Sequence, residues 1–210
     1  MNNKRGFASD NNAGVHPRVM DALRSAGGGH VLAYGDDPFT AAAVAKFREQ
    51  FGESAEVFFV FGGTGANVLA LASLARPHEA VVFLDRSRAR DFRFTRKQGA
   101  QLPSKMRFIA AQFNALFDGD LWLETATHAN RMARLLADEL GGLPQVRVTQ
   151  PVESNAVFAR MPPGSVAEVQ RHFFFYVWNE ATSEVRLMCS FDTTEEDVRE
   201  LVRVIGEVIG

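Results

Sequence analysis

The apolar run Val57-Phe58-Phe59-Val60-Phe61 goes straight into Gly62-Gly63-Thr64-Gly65-Ala66-Asn67, and Val68-Leu69-Ala70-Leu71-Ala72 follows at once. The run reads as a buried strand, the glycines as a break and the stretch beyond as a helix. A β-turn-α unit of this kind places the front of the chain in the α/β class. The same arrangement suits an anion: backbone without side chains approaches closely, unpaired N–H groups point at the ligand and Thr64 adds a hydroxyl. The turn has neither the lysine of a P-loop nor the spacing of a dinucleotide fingerprint. A ligand-holding turn and a purely structural one both fit it.

On either side of this unit the pattern continues. Residues 17–24 have the spacing of a short helix ended by Gly27-Gly28-Gly29, and 38–51 read as a helix entered through Asp36-Asp37 and closed by Gly52. Residues 80–84 form a second short strand, 104–117 a helix, and 121–140 a long amphipathic helix. From Val146 the period changes. Strands are expected at 146–148, 156–158, 173–177 and 185–188, with a short helix at 166–172. Thr193-Thr194-Glu195-Glu196 reads as a capping box, Thr193 bonding Glu196 and Glu196 reaching back, and it opens a last helix to Ile209. The back half is thus a self-consistent α+β domain, whereas two strands are too little sheet for the helices in front.

Three early segments carry a family resemblance: Phe7-Ala8-Ser9-Asp10-Asn11, Tyr34-Gly35-Asp36-Asp37-Pro38 and the glycine turn. In order and spacing they resemble the start of the low-specificity threonine aldolases, pyridoxal-phosphate (PLP) lyases of the aspartate-aminotransferase fold type. The run from Arg96-Lys97-Gln98 to Lys105-Met106-Arg107-Phe108 resembles the opening of that family's C-terminal portion, and Phe173 to Trp178 with Arg186 to Asp192 resemble its end. The resemblance implies a truncated remnant of a fold type I large domain over 1–107, followed by a small C-terminal α+β domain over 108–210 with long linking helices.

Between the two blocks such proteins carry a ring-stacking histidine, an aspartate for the pyridine nitrogen and a strand-end lysine for the Schiff base. None of these motifs is in this sequence. Glu79-Ala80-Val81-Val82 leads directly into Phe83-Leu84-Asp85, as if roughly 120–150 residues, on the order of a domain, had been removed. In the parent fold the strand after the lysine lies antiparallel beside the strand entering the phosphate turn. Residues 80–84 are therefore expected antiparallel to 57–61.

The resemblance assigns roles residue by residue. Gly63 and Thr64 match the phosphate cradle, while Lys97 and Lys105 match basic positions of a block near the cofactor phosphate of a neighbouring subunit, with Lys97 and Arg107 the candidates for that role; exposed surface charge is the other reading. Ser9 and Arg186 match contacts to the substrate carboxylate, a task suited to a planar guanidinium. Tyr34 matches a residue lent across a dimer. No residue matches the Schiff-base lysine, so no catalytic residue is expected. The five histidines show no metal spacing, and His128 reads as a packing residue.

Composition narrows the partners. A net charge of −2 gives no reason to expect nucleic acid or an anionic membrane, and the basic cluster from Arg86 to Lys105 reads as solvated surface. One cysteine, Cys189, fits a reducing cytoplasm, and no stretch is long and apolar enough to span a bilayer. The function implied is that of the aldolase family, PLP-dependent cleavage of L-threonine or L-allo-threonine to glycine and acetaldehyde, with this chain inactive alone. The alternative is a non-catalytic subunit or interaction fragment that pairs with a full-length homologue. A homo-oligomer fits both, and a deletion or recording artefact at residues 79–83 would leave the same text.

Overall fold

A computed structural model of the chain describes residues 6–9, 12–60, 80–103 and 105–210. They form two compact units, one of residues 15–121 and one of residues 1–14 with 122–210.

In the front unit, α1 (Pro17–Ala26) begins with Pro at its first position, and the Arg18 N–H donates to His16 Nδ1 at 3.2 Å. Helix α2 (Pro38–Phe51) is capped by buried Asp37, whose carboxylate accepts from the Thr40 N–H and hydroxyl, both at 2.8 Å. It stops at Gly52, whose φ of 99° is open to glycine and strained for other residues. Strands β1 (Glu56–Phe59) and β2 (Ala80–Phe83) then pair antiparallel, Phe59 opposite Ala80 and Glu56 opposite Phe83. This is the pairing expected for 57–61 and 80–84.

Successive strand residues face opposite sides, so Phe58 and Phe59 leave the hairpin in opposite directions. Phe59 meets Phe47 of α2 at 5.8 Å and stacks on Phe113 of α4 (Met106–Phe117) at 4.9 Å. Phe58 meets Phe92 of α3 (Phe92–Gln98) at 4.8 Å and Phe83 at 6.1 Å. Helices therefore cover both faces of the hairpin, the layering of an α/β protein. The division read from the sequence, at 107/108, falls in the first turn of α4.

The back unit holds α5 (Leu121–Gly141) from Trp122 onward, β3 (Arg147–Val148), β4 (Ala156–Arg160), α6 (Ser165–Gln170), β5 (Tyr176–Asn179), β6 (Glu184–Met188) and α7 (Glu195–Ile209). The strands form one sheet in the order β3-β4-β6-β5, every neighbouring pair antiparallel, as the period change implies. Val157, Ala159, Val185 and Leu187 turn to one face and join Leu136, Leu140, Leu201 and Ile205 of the helices in a single core. Burying each larger aliphatic side chain there stabilises by roughly 1.5–3 kcal/mol.

Two local expectations shift. The capping box sits one residue later than read: the Asp197 N–H donates to Thr194 Oγ1 at 3.1 Å, and the Thr194 N–H donates to Asp197 Oδ2 at 2.9 Å. The buried Thr193 is engaged elsewhere, its hydroxyl accepting from the Ser190 N–H at 2.8 Å. The strand expected at 173–177 begins only at Tyr176. Phe173 closes α6 by donating to the Val169 carbonyl at 3.0 Å, and Phe7 takes the next position: its N–H donates to Phe174 O, and its carbonyl accepts from the Met188 N–H, both at 2.8 Å. The register Tyr176 opposite Arg186 would set Phe174 opposite Met188, but Phe7 is wedged between them. Its ring is buried edge-on against Phe173 at 5.8 Å.

Candidate functional site

Gly63 and Thr64 lie outside the described residues. Of the other residues singled out by sequence, Ser9 and Arg186 belong to the back unit, and Tyr34, Lys97 and Arg107 to the front one.

Arg186 stands mid-strand in β6, opposite Phe158 on one side and Tyr176 on the other. Its guanidinium lies 5.3 Å from the Trp178 ring centre and 5.9 Å from that of Tyr176. Its Nε is buried without a hydrogen-bond partner. The wedge at Phe7 carries Ser9, half-buried, to the end of the sheet next to β6, and the Ser9 carbonyl accepts from the Asn12 N–H at 3.1 Å. Around Arg186 the face away from the helices is aromatic. Phe174, Tyr176 and Trp178 alternate along one side of the chain and are 55%, 47% and 55% exposed.

In the front unit Tyr34 is 57% exposed and takes a φ of 63°, a left-handed conformation uncommon for a residue with a side chain. Arg107, half-buried in the first turn of α4, donates to the Gly29 carbonyl at 3.3 Å with its guanidinium 5.2 Å from the Phe108 ring. Lys97 is exposed in the last turn of α3.

An enzyme that holds an aldehyde cofactor covalently needs a lysine amine inside an enclosed site. Lys46 Nζ is bound to the Asn114 carbonyl at 3.2 Å and to the Asp118 carboxylate, and Lys97 and Lys105 are exposed. The described lysines do not fit that role, and Lys4 lies outside the described residues. Among the described residues no group of three or more His, Cys, Asp or Glu is placed to hold a metal ion. The Cys189 thiol is pushed up to about 12 by burial and offers no nucleophile near neutrality.

The sequence reading passed over Arg96. It is half-buried, its Nη1 donates to the Phe59 carbonyl at 3.4 Å, and its guanidinium lies 5.2 Å from the Phe58 ring. Its Nε is buried with no partner, and burial lowers its proton affinity below the usual arginine range. The helical period held the signal: Phe92 and Arg96 are four residues apart, so the buried ring that meets β1 brings the arginine to the same strand. Lys97, one position on, is rotated off that face. His128 also does more than pack. Its Nε2 lies 2.7 Å from the Thr193 carbonyl, which can only accept, so Nε2 carries the proton.

One unit is thus a hairpin covered by helices on both faces, and the other a one-sided antiparallel sheet. The structure superimposes on the threonine aldolase of Leishmania major with a TM-score of 0.88 and 17% identity, over 98% of this chain and 99% of that one. The family model of the Beta-eliminating lyases matches residues 6–91. The low-specificity L-threonine aldolase of Pseudomonas aeruginosa is 27% identical over 97% of this chain and 98% of its own length, and that of a Pseudomonas species is 25% identical over 97% of each. Over nearly its whole length the chain is similar to low-specificity L-threonine aldolases. The first of these alignments is 339 positions long against a chain of 210 residues, so well over a hundred positions are filled by the relative alone.

Proposed function

We propose that this chain keeps the periphery of a threonine aldolase site and lacks its catalytic centre, so that it does not cleave threonine by itself. The observation that carries this reading is the antiparallel pairing of β1 with β2, Phe59 opposite Ala80, in a chain whose relatives hold so much more sequence. The placement of Lys46, Lys97 and Lys105 supports it further. By family the cofactor is PLP and the substrate L-threonine or L-allo-threonine. Gly63, Thr64, Lys97 and Arg107 are the residues toward the phosphate; Ser9, Tyr34 and Arg186 are those toward the substrate. No helix among the described residues is long and apolar enough to cross a membrane, and a cytoplasmic site fits the single buried thiol.

The test mixes purified protein with PLP and L-threonine. No Schiff-base absorbance band and no acetaldehyde above a PLP-only control are expected. Borohydride reduction with peptide mass mapping is decisive: a pyridoxyl group fixed stoichiometrically on a lysine, together with threonine cleavage, overturns the reading.

The exposed row of Phe174, Tyr176 and Trp178 favours a second reading, a non-catalytic subunit that covers this face by pairing with a full-length homologue. Co-expression with that homologue and size-exclusion chromatography decide it, since a mixed oligomer supports the reading and two separate peaks refute it.

A further inference from the structure

At the start of β5 the local sequence pattern and the fold pull in different directions. We infer that residues 6–9 are a releasable strap. Docked, they hold Phe7 between Phe174 and Met188; released, they let Phe174 and Met188 bond each other, so that β5 begins at Phe174. The inference concerns the sheet of the back unit and does not depend on whether the chain cleaves threonine.

In the docked arrangement the Met188 N–H donates to the Phe7 carbonyl and the Phe7 N–H donates to the Phe174 carbonyl, both at 2.8 Å. Phe7 thus relays a bond that Met188 and Phe174 are aligned to make directly. The pair stands two positions beyond Tyr176 and Arg186 in the same register. Main-chain groups of successive strand residues point to opposite neighbours. The Cys189 N–H donates to the Asn155 carbonyl on the β4 side at 2.9 Å, so the Met188 N–H faces the β5 side. Contacts independent of the strap hold the other edge of the gap. The Phe173 N–H donates to the Val169 carbonyl at 3.0 Å, and the Phe175 carbonyl accepts from Gln170 Nε2 at 2.8 Å. Release therefore leaves no main-chain group of the gap buried and unmet: those of Phe7 pass to water while Phe174 and Met188 pair.

Opposed terms of similar size set the balance. Docking buries the Phe7 ring edge-on against Phe173, and it also fixes the backbone of residues 6–9. Burying one large apolar side chain and ordering a few residues nearly offset each other. Local preference then works against docking, because residues 173–177 have the pattern of a strand and only Tyr176 onward joins the ladder. Such a conflict between local pattern and fold marks a second arrangement close in energy. The chain beyond the strap offers little resistance, since Asn12, Gly14 and Val15 are exposed and a Cβ added at Gly14 would meet nothing within 4 Å. Ser9 leaves the end of the sheet together with Phe7.

Amide hydrogen exchange on the full chain, read residue by residue by NMR and corrected for intrinsic rates, tests the inference. Simple fraying breaks both bonds of the strap at once, and Phe7 and Met188 then exchange equally fast. Closure of the gap instead keeps Met188 bonded while Phe7 is open. In wild type the Phe7 amide is expected to exchange about tenfold or more ahead of Met188, and ahead of Leu187 in the core. Phe7→Ala removes the docked ring and should speed exchange at position 7 by about tenfold or more, while Met188 changes less than about twofold. A nuclear Overhauser contact between the Phe174 and Met188 amides should strengthen in the same variant. Equal rates at Phe7 and Met188 in wild type, exchange of Phe7 only through global unfolding, or Met188 accelerating together with position 7 in Phe7→Ala overturns the inference. The comparison within wild type keeps the test decisive where the alanine variant fails to fold.

Discussion

The two units of this chain differ in how completely each sheet is served. Behind, four strands share one core with three helices, and the apolar residues form a single cluster. Among the described residues of the front unit, two strands of four residues each carry helices on both faces, and the apolar residues divide into separate clusters around Phe47, Phe92 and Leu121. An isolated two-stranded hairpin is marginal in water, so the front unit depends on its aromatic contacts with the helices. The difference teaches that a unit with little sheet can keep the layering of helices on both faces without one continuous core.

Core truncations give the largest effects and test whether the units are separate. Phe47→Ala removes a ring that touches Phe59, Phe113 and Phe117 and should cost about 3–5 kcal/mol, with proteolytic cuts confined to the front unit. Leu201→Ala should cost about 2–5 kcal/mol and expose the back unit instead. Limited proteolysis with mass mapping reads both. If either variant exposes both units in one step, the comparison breaks and the chain unfolds as a whole.

High pH should act on the back unit. The Cys189 thiol ionises at about 12 in the native state, against 9.0 when free. The unfolded chain therefore ionises first, and the stability tied to the protonated thiol, complete below 9.0, is lost as pH rises toward about 12. Alkylation at pH 8 should be slow in buffer and fast in denaturant; equal rates would show the thiol is accessible.

A smaller effect sharpens the shifted cap. Thr194→Ala should lower stability by about 1 kcal/mol through the lost bond to the Asp197 N–H, read as a lower denaturation midpoint. An unchanged midpoint would return the cap to Thr193. The smallest effect belongs to Arg203, which reaches Glu200 and Glu207 on the exposed side of α7. Its proton affinity is raised by those carboxylates, yet exposed pairs on a helix contribute little. Arg203→Gln should leave the midpoint within error at any salt concentration, and a clear fall would mean that surface pairs hold the back unit.

Much of this fold was readable from local pattern. The strands, the four-stranded sheet and the final helix follow from apolar periods, glycines and hydroxyl caps, which act over a few residues, whereas the β1–β2 pairing was expected from the family resemblance alone. The site was less readable. Arg186 was found because the residues around it resemble a known strand. Arg96 was missed because its importance lies in what its Nε lacks, and a sequence cannot show an unmet hydrogen bond. Lys97 carries the same charge one position away and faces solvent.

By itself, then, the sequence determined most of the elements and their period, since helix, strand and turn preferences are set by each residue and its near neighbours. Tertiary structure alone decided that Phe7 would enter the sheet between Phe174 and Met188, more than 160 positions away. It moved the start of β5 to Tyr176 for the same reason, because two backbone groups already bonded to Phe7 cannot also bond each other. It also decided that the cap falls on Thr194, since Thr193 is buried and its hydroxyl and carbonyl are engaged by partners brought by the fold. Such outcomes depend on which donors and acceptors remain free once the core has closed, and no window along the chain contains that information.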